Sequence, residues 1–273
     1  MPLKLYEHPL SPYVRKVKIV LYEKGVPFER IYVAPMTLKA DDPVFADFAG
    51  ASPRLEVPCL VDGDFRCFDS TIIVDYIDEK WPGVPMLPSA PRDRARARMV
   101  EELCDTTLDA INWGLMEIRF FKRAEGEPAR QMMEKSGEQL AAVWDRLESE
   151  LAEHPWLSGE RFGRADASLI VHVVASGLFG FTLLDRHPRL RAWSARCLEV
   201  ESVKRDQADL AAFMGSDAAR GMRKGRAGPA EASPRRVKRQ YRDHRLEWMF
   251  KTGGRDIVLR GLEEETIHFV PWP

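Results

Sequence analysis

Three short runs near the N-terminus carry side chains suited to an anionic, peptide-like ligand. The first is Ser11-Pro12-Tyr13-Val14, which opens an apolar helical pattern with proline at the position that begins a helix well. Backbone N–H groups and the dipole at such a start favour negative charge. The Ser11 hydroxyl there could donate a hydrogen bond to a bound thiolate. A free thiol titrates near ~8.5. A hydrogen bond to a charged acceptor contributes about 1.5–3 kcal/mol, and the helix end about 0.3–1 kcal/mol. At ~1.4 kcal/mol per unit, the two together lower a bound thiol by about one to two units. A serine in this place also serves as an ordinary helix cap, and the two roles are compatible.

The second run is Val57-Pro58, entering a strand pattern. Proline there suits a strand start or a cis bond, and the sequence leaves both isomers open. The backbone of Val57 could pair with an extended peptide ligand. The third is Asp69-Ser70-Thr71 at the start of a further helix. Ser70 would offer its hydroxyl and N–H to a carboxylate, and Asp69 could meet an ammonium group; helix capping explains each singly. A ligand with an amino-acid head at one end and a thiol further along satisfies both ends.

Elements must bring these runs together. Leu3 to Glu7 reads as a strand, Pro12 to Gly25 as a helix and Phe28 to Val33 as a second strand, a crossover that makes the strands parallel. Residues 57–61 and 65–68 flank Asp62-Gly63-Asp64, a hairpin signature, and a helix with Ile72, Ile73, Tyr76 and Ile77 follows. The stretch between Pro35 and Pro53 reads as loosely structured. Residues 1–80 are therefore β-α-β, β-β-α. A proline-rich linker over 81–91 leads to an all-helical domain over 92–213, where Leu140, Trp144, Leu147 and Leu151 recur at helical spacing. Between 92 and 122 the apolar stripe, which includes Met99, drifts around the helix. Residues 167–181 are apolar nearly all round, which marks a buried helix.

The 273-residue length suits two domains, and a hydrophobic share of 45% suits a globular chain. A net charge of -1 points to neither nucleic acid nor an anionic membrane. No apolar run is long enough to span a bilayer, and the N-terminus lacks the pattern of a secretory leader, so a cytoplasmic location is expected. Four scattered cysteines and six unclustered histidines predict reduced thiols and no metal site.

The helix start occupies the place where thioredoxin-type proteins carry a nucleophilic Cys-Pro-Tyr-Cys; with Ser11 and Val14 in the cysteine positions, dithiol redox chemistry is excluded. Ser11-Pro12-Tyr13 before a Lys/Arg-containing helix, Val57-Pro58, Asp62-Gly63, and Asp69-Ser70 before Ile73 and Tyr76-Ile77 resemble the soluble glutathione transferases. The resemblance spans residues 3–213. It implies an α/β thioredoxin-like domain followed by an all-α domain, glutathione as co-substrate, a hydrophobic electrophile and a homodimer. It further implies that Ser11 activates the sulfur, Val57 beside Pro58 pairs with the cysteinyl unit, and Asp69 and Ser70 hold the γ-glutamyl head. Ser11-Pro12-Tyr13-Val14 with Asp69-Ser70 also resembles bacterial β-aryl-etherase relatives. A dehalogenase and a non-catalytic interaction protein are the other readings.

Leu55-Glu56 departs from the family's glycine-plus-basic run, leaving Lys39 or Arg54 to meet the glycine carboxylate. Tyr6 competes with Ser11 for the sulfur, but strand alternation assigns it to the sheet. Gly163-Arg164-Ala165-Asp166 keeps half of a capping box, through Asp166. Tyr13, Trp113, Phe120, Phe121 and Phe181 are candidates for the electrophile pocket wall. The segment 214–273 is a basic, then aromatic-rich extension whose only acids between Arg220 and Arg245 are Glu231 and Asp243. It reads as a connector rather than a nucleic-acid site. Short strands or extended arms are expected at 257–259 and 267–270 and a helix at 245–250; Trp248, Met249, Phe250, Phe269 and Trp272 are expected to pack back onto the helical domain, so that the tail covers the pocket mouth or a dimer surface.

Overall fold

A computed structural model describes residues 2–34, 38, 41–217, 219–220 and 239–268. Strand β1 (Leu3–Glu7) leads to α1 (Pro12–Glu23) and β2 (Phe28–Tyr32), then α2 (Phe45–Ala51), β3 (Cys59–Asp62), β4 (Phe65–Phe68) and α3 (Ser70–Lys80). The sheet runs β2-β1-β3-β4. β1 pairs parallel to β2 from Leu3↔Phe28 to Glu7↔Tyr32, and antiparallel to β3, which pairs antiparallel to β4. This is the thioredoxin-like mixed sheet. Alternation along β1 sends Leu3 and Leu5 to the large core under α1 and α3, and Tyr6 to a smaller cluster with Phe48 and Cys59 beneath α2. The sequence pattern misses α2, a seven-residue helix whose cap, Val44, makes no side-chain hydrogen bond.

The helical domain comprises α4 (Pro91–Leu103), a π-turn (Cys104–Leu108), α5 (Asp109–Arg119), α6 (Gly126–Glu150), α7 (Arg164–Leu178), α8 (Pro188–Glu199) and α9 (Glu201–Gly215). The π-turn accounts for the drifting stripe over 92–122, because one wide turn rotates every later side chain around the axis. Met99, assigned to that stripe, is 56% exposed. Asp166 is buried and accepts from the N–H groups of Leu157, Ser158 and Gly163 and from Trp193 Nε1, a structural knot at the head of α7.

Helix α1 lies between the sheet's helix α3 and helices α7 and α9, with no side facing water along much of its length. Its basic residues are consequently buried and paired. Arg15 Nε meets Asp206 at 2.9 Å, and Lys16 Nζ meets Glu101 at 3.0 Å and Asp105 at 2.7 Å. Lys18 meets Asp209 at 2.7 Å, and Arg164 of α7 closes the chain against Glu101 and Asp75.

The C-terminal extension returns to this domain. A two-residue strand, β5 (Arg239–Gln240), pairs parallel with β6 (Ile267–His268), and α10 (Asp243–Thr252) and α11 (Arg255–Glu263) lie between. Residues 257–259, expected as strand, are helical: Ile257 and Val258 turn inward while Leu259 stays exposed, a spacing that two-residue alternation cannot provide. Trp248 and Met249 are buried as expected; Phe250 is exposed, and Phe269 and Trp272 lie outside the described residues. Trp248 packs on Gly114 of α5 so closely that an added Cβ would stand 2.0 Å from the ring, and its Nε1 donates to Gln139 Oε1 at 2.7 Å. All four cysteines are buried and free.

Two predictions follow from this packing. Gly114→Ala, which would stabilise an isolated helix by about 1 kcal/mol, should instead destabilise by about 1–3 kcal/mol through overpacking. Urea unfolding should show this, and Trp248→Ala in the same chain should relieve it. His172, inside α7, has its imidazole held down to about 4 from 6.5 by burial. The unfolded chain therefore takes up a proton as pH falls through 6.5 while the folded chain does not until about 4. Stability from this residue is complete above 6.5 and lost toward 4, by at most about 3 kcal/mol. Urea midpoints at neutral and acid pH should show a smaller acid loss in His172→Gln.

Candidate active site

The N-terminus of α1, the β3 entry, the start of α3 and helices α4, α5, α7 and α9 surround one cleft of about 1550 Å³. That is larger than a typical single-ligand pocket of about 300–1,000 Å³. The three sequence runs converge on it. Ser11 caps α1 in extended conformation, with its Oγ accepting from Val14 N at 3.4 Å and Pro12 at the first helical position. In that bond the oxygen accepts, so its own O–H remains available to donate elsewhere.

The Val57–Pro58 peptide is cis, and both residues line the cleft. The loop before it is tied by Ser52, whose Oγ donates to Glu56 O at 2.9 Å and accepts from Glu56 N at 3.1 Å. Asp69 holds φ of 75°, a left-handed setting unusual for a residue with a side chain, while its carboxylate accepts from Thr71 N at 3.0 Å. Such strain costs about 1–3 kcal/mol and concentrates where ligands bind. Ser70 follows, buried at the first turn of α3 and facing the same cleft.

The remaining candidates divide. Arg54 lines the cleft with its guanidinium 5.8 Å above the Phe68 ring; Lys39 lies outside the described residues. Tyr13, Trp113, Phe120 and Phe121 all line the cleft. The Tyr13 hydroxyl donates to Asp105 O at 2.8 Å, and burial with the charge of Asp109 pushes it well up from its ordinary range. Phe181 does not line the cleft: its ring packs over Gly137 of α6, because α7 ends at Leu178 and the chain turns away at Gly180. Tyr6 is 2% exposed against Phe48, with its hydroxyl pushed up by burial, and does not reach the cleft.

Residues that sequence reasoning passed over line the same cleft. Asn112 and His172 line its floor, where Asn112 Nδ2 donates to His172 O at 3.3 Å and Ser176 Oγ donates to Asn112 Oδ1 at 2.9 Å. The extension supplies Arg242, His244 and Arg245. Arg245 Nε and His244 Nε2 both stand 2.8 Å from Asp109 Oδ2. Burial alone would push the Asp109 carboxyl up; the guanidinium of Arg245 and the bonds from His244 and Arg245 outweigh it and hold the group below the usual carboxylate range. Tyr241 stacks edge-on to Trp113 at 4.3 Å. Arg242 stands 3.8 Å from Glu56, so the acid that breaks the family pattern faces a cation from the extension. The one available signal was Asp109, an acid embedded in an apolar stripe.

Comparison with known proteins is consistent with this geometry. Residues 5–85 match the model for the glutathione S-transferase N-terminal domain, and residues 130–196 that for the C-terminal domain, so the extension lies outside both. Glutathione S-transferase 3 of Zea mays is 35% identical over 173 residues, 61% of this chain and 75% of that protein. Glutathione S-transferase U25 of Arabidopsis thaliana is 30% identical, over 73% of this chain and 86% of its own. Among solved structures, a Tau class glutathione S-transferase from mango, Mangifera indica, superposes with a TM-score of 0.64 at 29% identity, covering 78% of this chain and 97% of that one. With its thioredoxin-like sheet, its helical domain and the cleft between them, the chain belongs to the glutathione S-transferase family and is an enzyme of the transferase class.

Proposed function

We propose that this cleft binds glutathione, stabilises its thiolate at Ser11 and directs the sulfur at the carbon of a hydrophobic electrophile. The observation that carries the reading is convergence: a helix-start hydroxyl, an outward-facing strand entry and a second helix start border one cleft. Glutathione is an extended anion with an ammonium-bearing head, a central thiol and a terminal carboxylate. In this reading Asp69 takes the ammonium, Ser70 the head carboxylate, and the Val57 backbone beside Pro58 pairs with the cysteinyl unit. Arg54 takes the glycine carboxylate, a role in which Lys39 is the other candidate. Ser11 donates to the sulfur, with the α1 N-terminus adding its field. Tyr13, Trp113 and Phe120 border the space left for the electrophile.

The division into residues 1–80, 81–91, 92–213 and 214–273 belongs to the same proposal. So do a serine-type bacterial subclass, a detoxifying role in the cytoplasm and a homodimer. Ether cleavage or dehalogenation uses the same nucleophile and differs only in the leaving group.

Titration calorimetry of glutathione, paired with the ultraviolet thiolate band against pH, tests these roles. Ser70→Ala should weaken binding about 10-fold or more, the loss of one bond to a charged group. Ser11→Ala should raise the thiolate pKa by about one unit with little change in affinity. Absence of binding at millimolar glutathione would overturn the proposal.

A further inference from the structure

The strongest unassigned chemistry in the cleft is the triad of side chains that the extension builds on Asp109. Among the described residues, Asp109 is the sole polar partner of the His244 ring, through Nε2 at 2.8 Å. An ionised carboxylate can only accept, so Nε2 carries a proton and Nδ1 is the ring atom that exchanges one. Arg245 on the same carboxylate fixes Asp109 from a second direction, so the imidazole is oriented by a group that is itself held. This is the arrangement in which an orienting acid presents a histidine for proton transfer.

Its place matters as much as its chemistry. His244 and Asp109 line the same cleft as Ser11 and Tyr13. The Tyr13 hydroxyl touches Asp105 of the π-turn, and the charges of Asp109 and Arg245 both act on it. The imidazole, 22% exposed at its side chain, therefore lines the same cleft as the helix start proposed to hold the sulfur.

We propose that His244, positioned by Asp109, is the general acid for electrophiles whose attack leaves charge on oxygen. The assignment rests on the thiolate reading of Ser11. With an epoxide, the sulfur lone pair forms the S–C bond, the C–O bond breaks, and its electron pair on oxygen takes the Nδ1 proton, leaving neutral imidazole that solvent reprotonates. With an α,β-unsaturated ketone, the sulfur adds to the β-carbon, the displaced π pair moves to oxygen, and the enolate takes the proton. Aryl ether cleavage releases a phenoxide that is protonated in the same way. Displacement of chloride from an aryl chloride needs no proton, because chloride leaves as a stable anion. The favoured substrate class is therefore oxygen electrophiles.

The test compares chlorodinitrobenzene with styrene oxide and an α,β-unsaturated aryl ketone, all with glutathione, in wild type and His244→Gln. Glutamine keeps a donor toward Asp109, and Arg245 keeps the anchor. His244→Gln should lose about 100-fold in kcat on the oxygen electrophiles. Chlorodinitrobenzene turnover and glutathione affinity should stay within about twofold, and the thiolate pKa within about 0.3 unit. Asp109→Asn should give the same split in weaker form, with the folded state checked by urea unfolding. Equal losses on all substrates would mean a packing role for His244, and no loss on any would mean none; either overturns the inference. So does a wild type that turns over the aryl chloride alone. A wild type that binds no glutathione would instead place the failure in the Ser11 reading, and the assignment of His244 would fall with it.

Discussion

Everything in the cleft depends on how Arg15, Lys16 and Lys18 of α1 are neutralised. Three cations on one helix, each at most 4% exposed, are tolerable only where carboxylates meet them directly. Those carboxylates come from α4, the π-turn and α9 of the helical domain, and from Glu7 of the sheet. A buried pair adds little net stability, but removing one partner typically costs about 3–5 kcal/mol. The network is thus a poor source of stability and a strong constraint on geometry. It fixes the N-terminus of α1, with Ser11 at its head, against the helices that wall the cleft.

The first eighty residues were legible because their signals are local. Alternation marks β1, Pro12 and Gly25 bound α1, and Asp62-Gly63 sets the hairpin; each acts within a few residues of itself. The buried charges were illegible for the opposite reason. Lys16 looks like a solvent-facing residue until Glu101 and Asp105 arrive from nearly ninety positions away. The π-turn hid in the same manner, as a stripe that drifts without a proline or glycine to mark the cause. Tyr13, Trp113 and Phe120 were found as cleft residues from type and position, while Phe181 was lost to a turn at Gly180 that re-aims it.

The extension is where sequence and structure differ most. Its composition reads as a basic connector, yet Tyr241, His244, Arg245 and Trp248 each fit a counterpart on α5 or α6. The family models stop at residue 196, so this part of the cleft lining lies outside them. Glu56, a misfit when the N-terminal domain is read alone, faces Arg242 instead of standing unmatched beside a carboxylate-bearing ligand.

The cysteines give the cleft a different kind of order. Cys59, Cys67, Cys104 and Cys197 are all covered, and burial pushes every one of their thiols up, Cys59 to about 12. A thiol that stays protonated and out of contact with solvent neither attacks disulfides nor is attacked as a mixed disulfide. The protein has silenced its own sulfur. Shifts in the surrounding redox balance that would cap an exposed cysteine find none of the four thiols open to them.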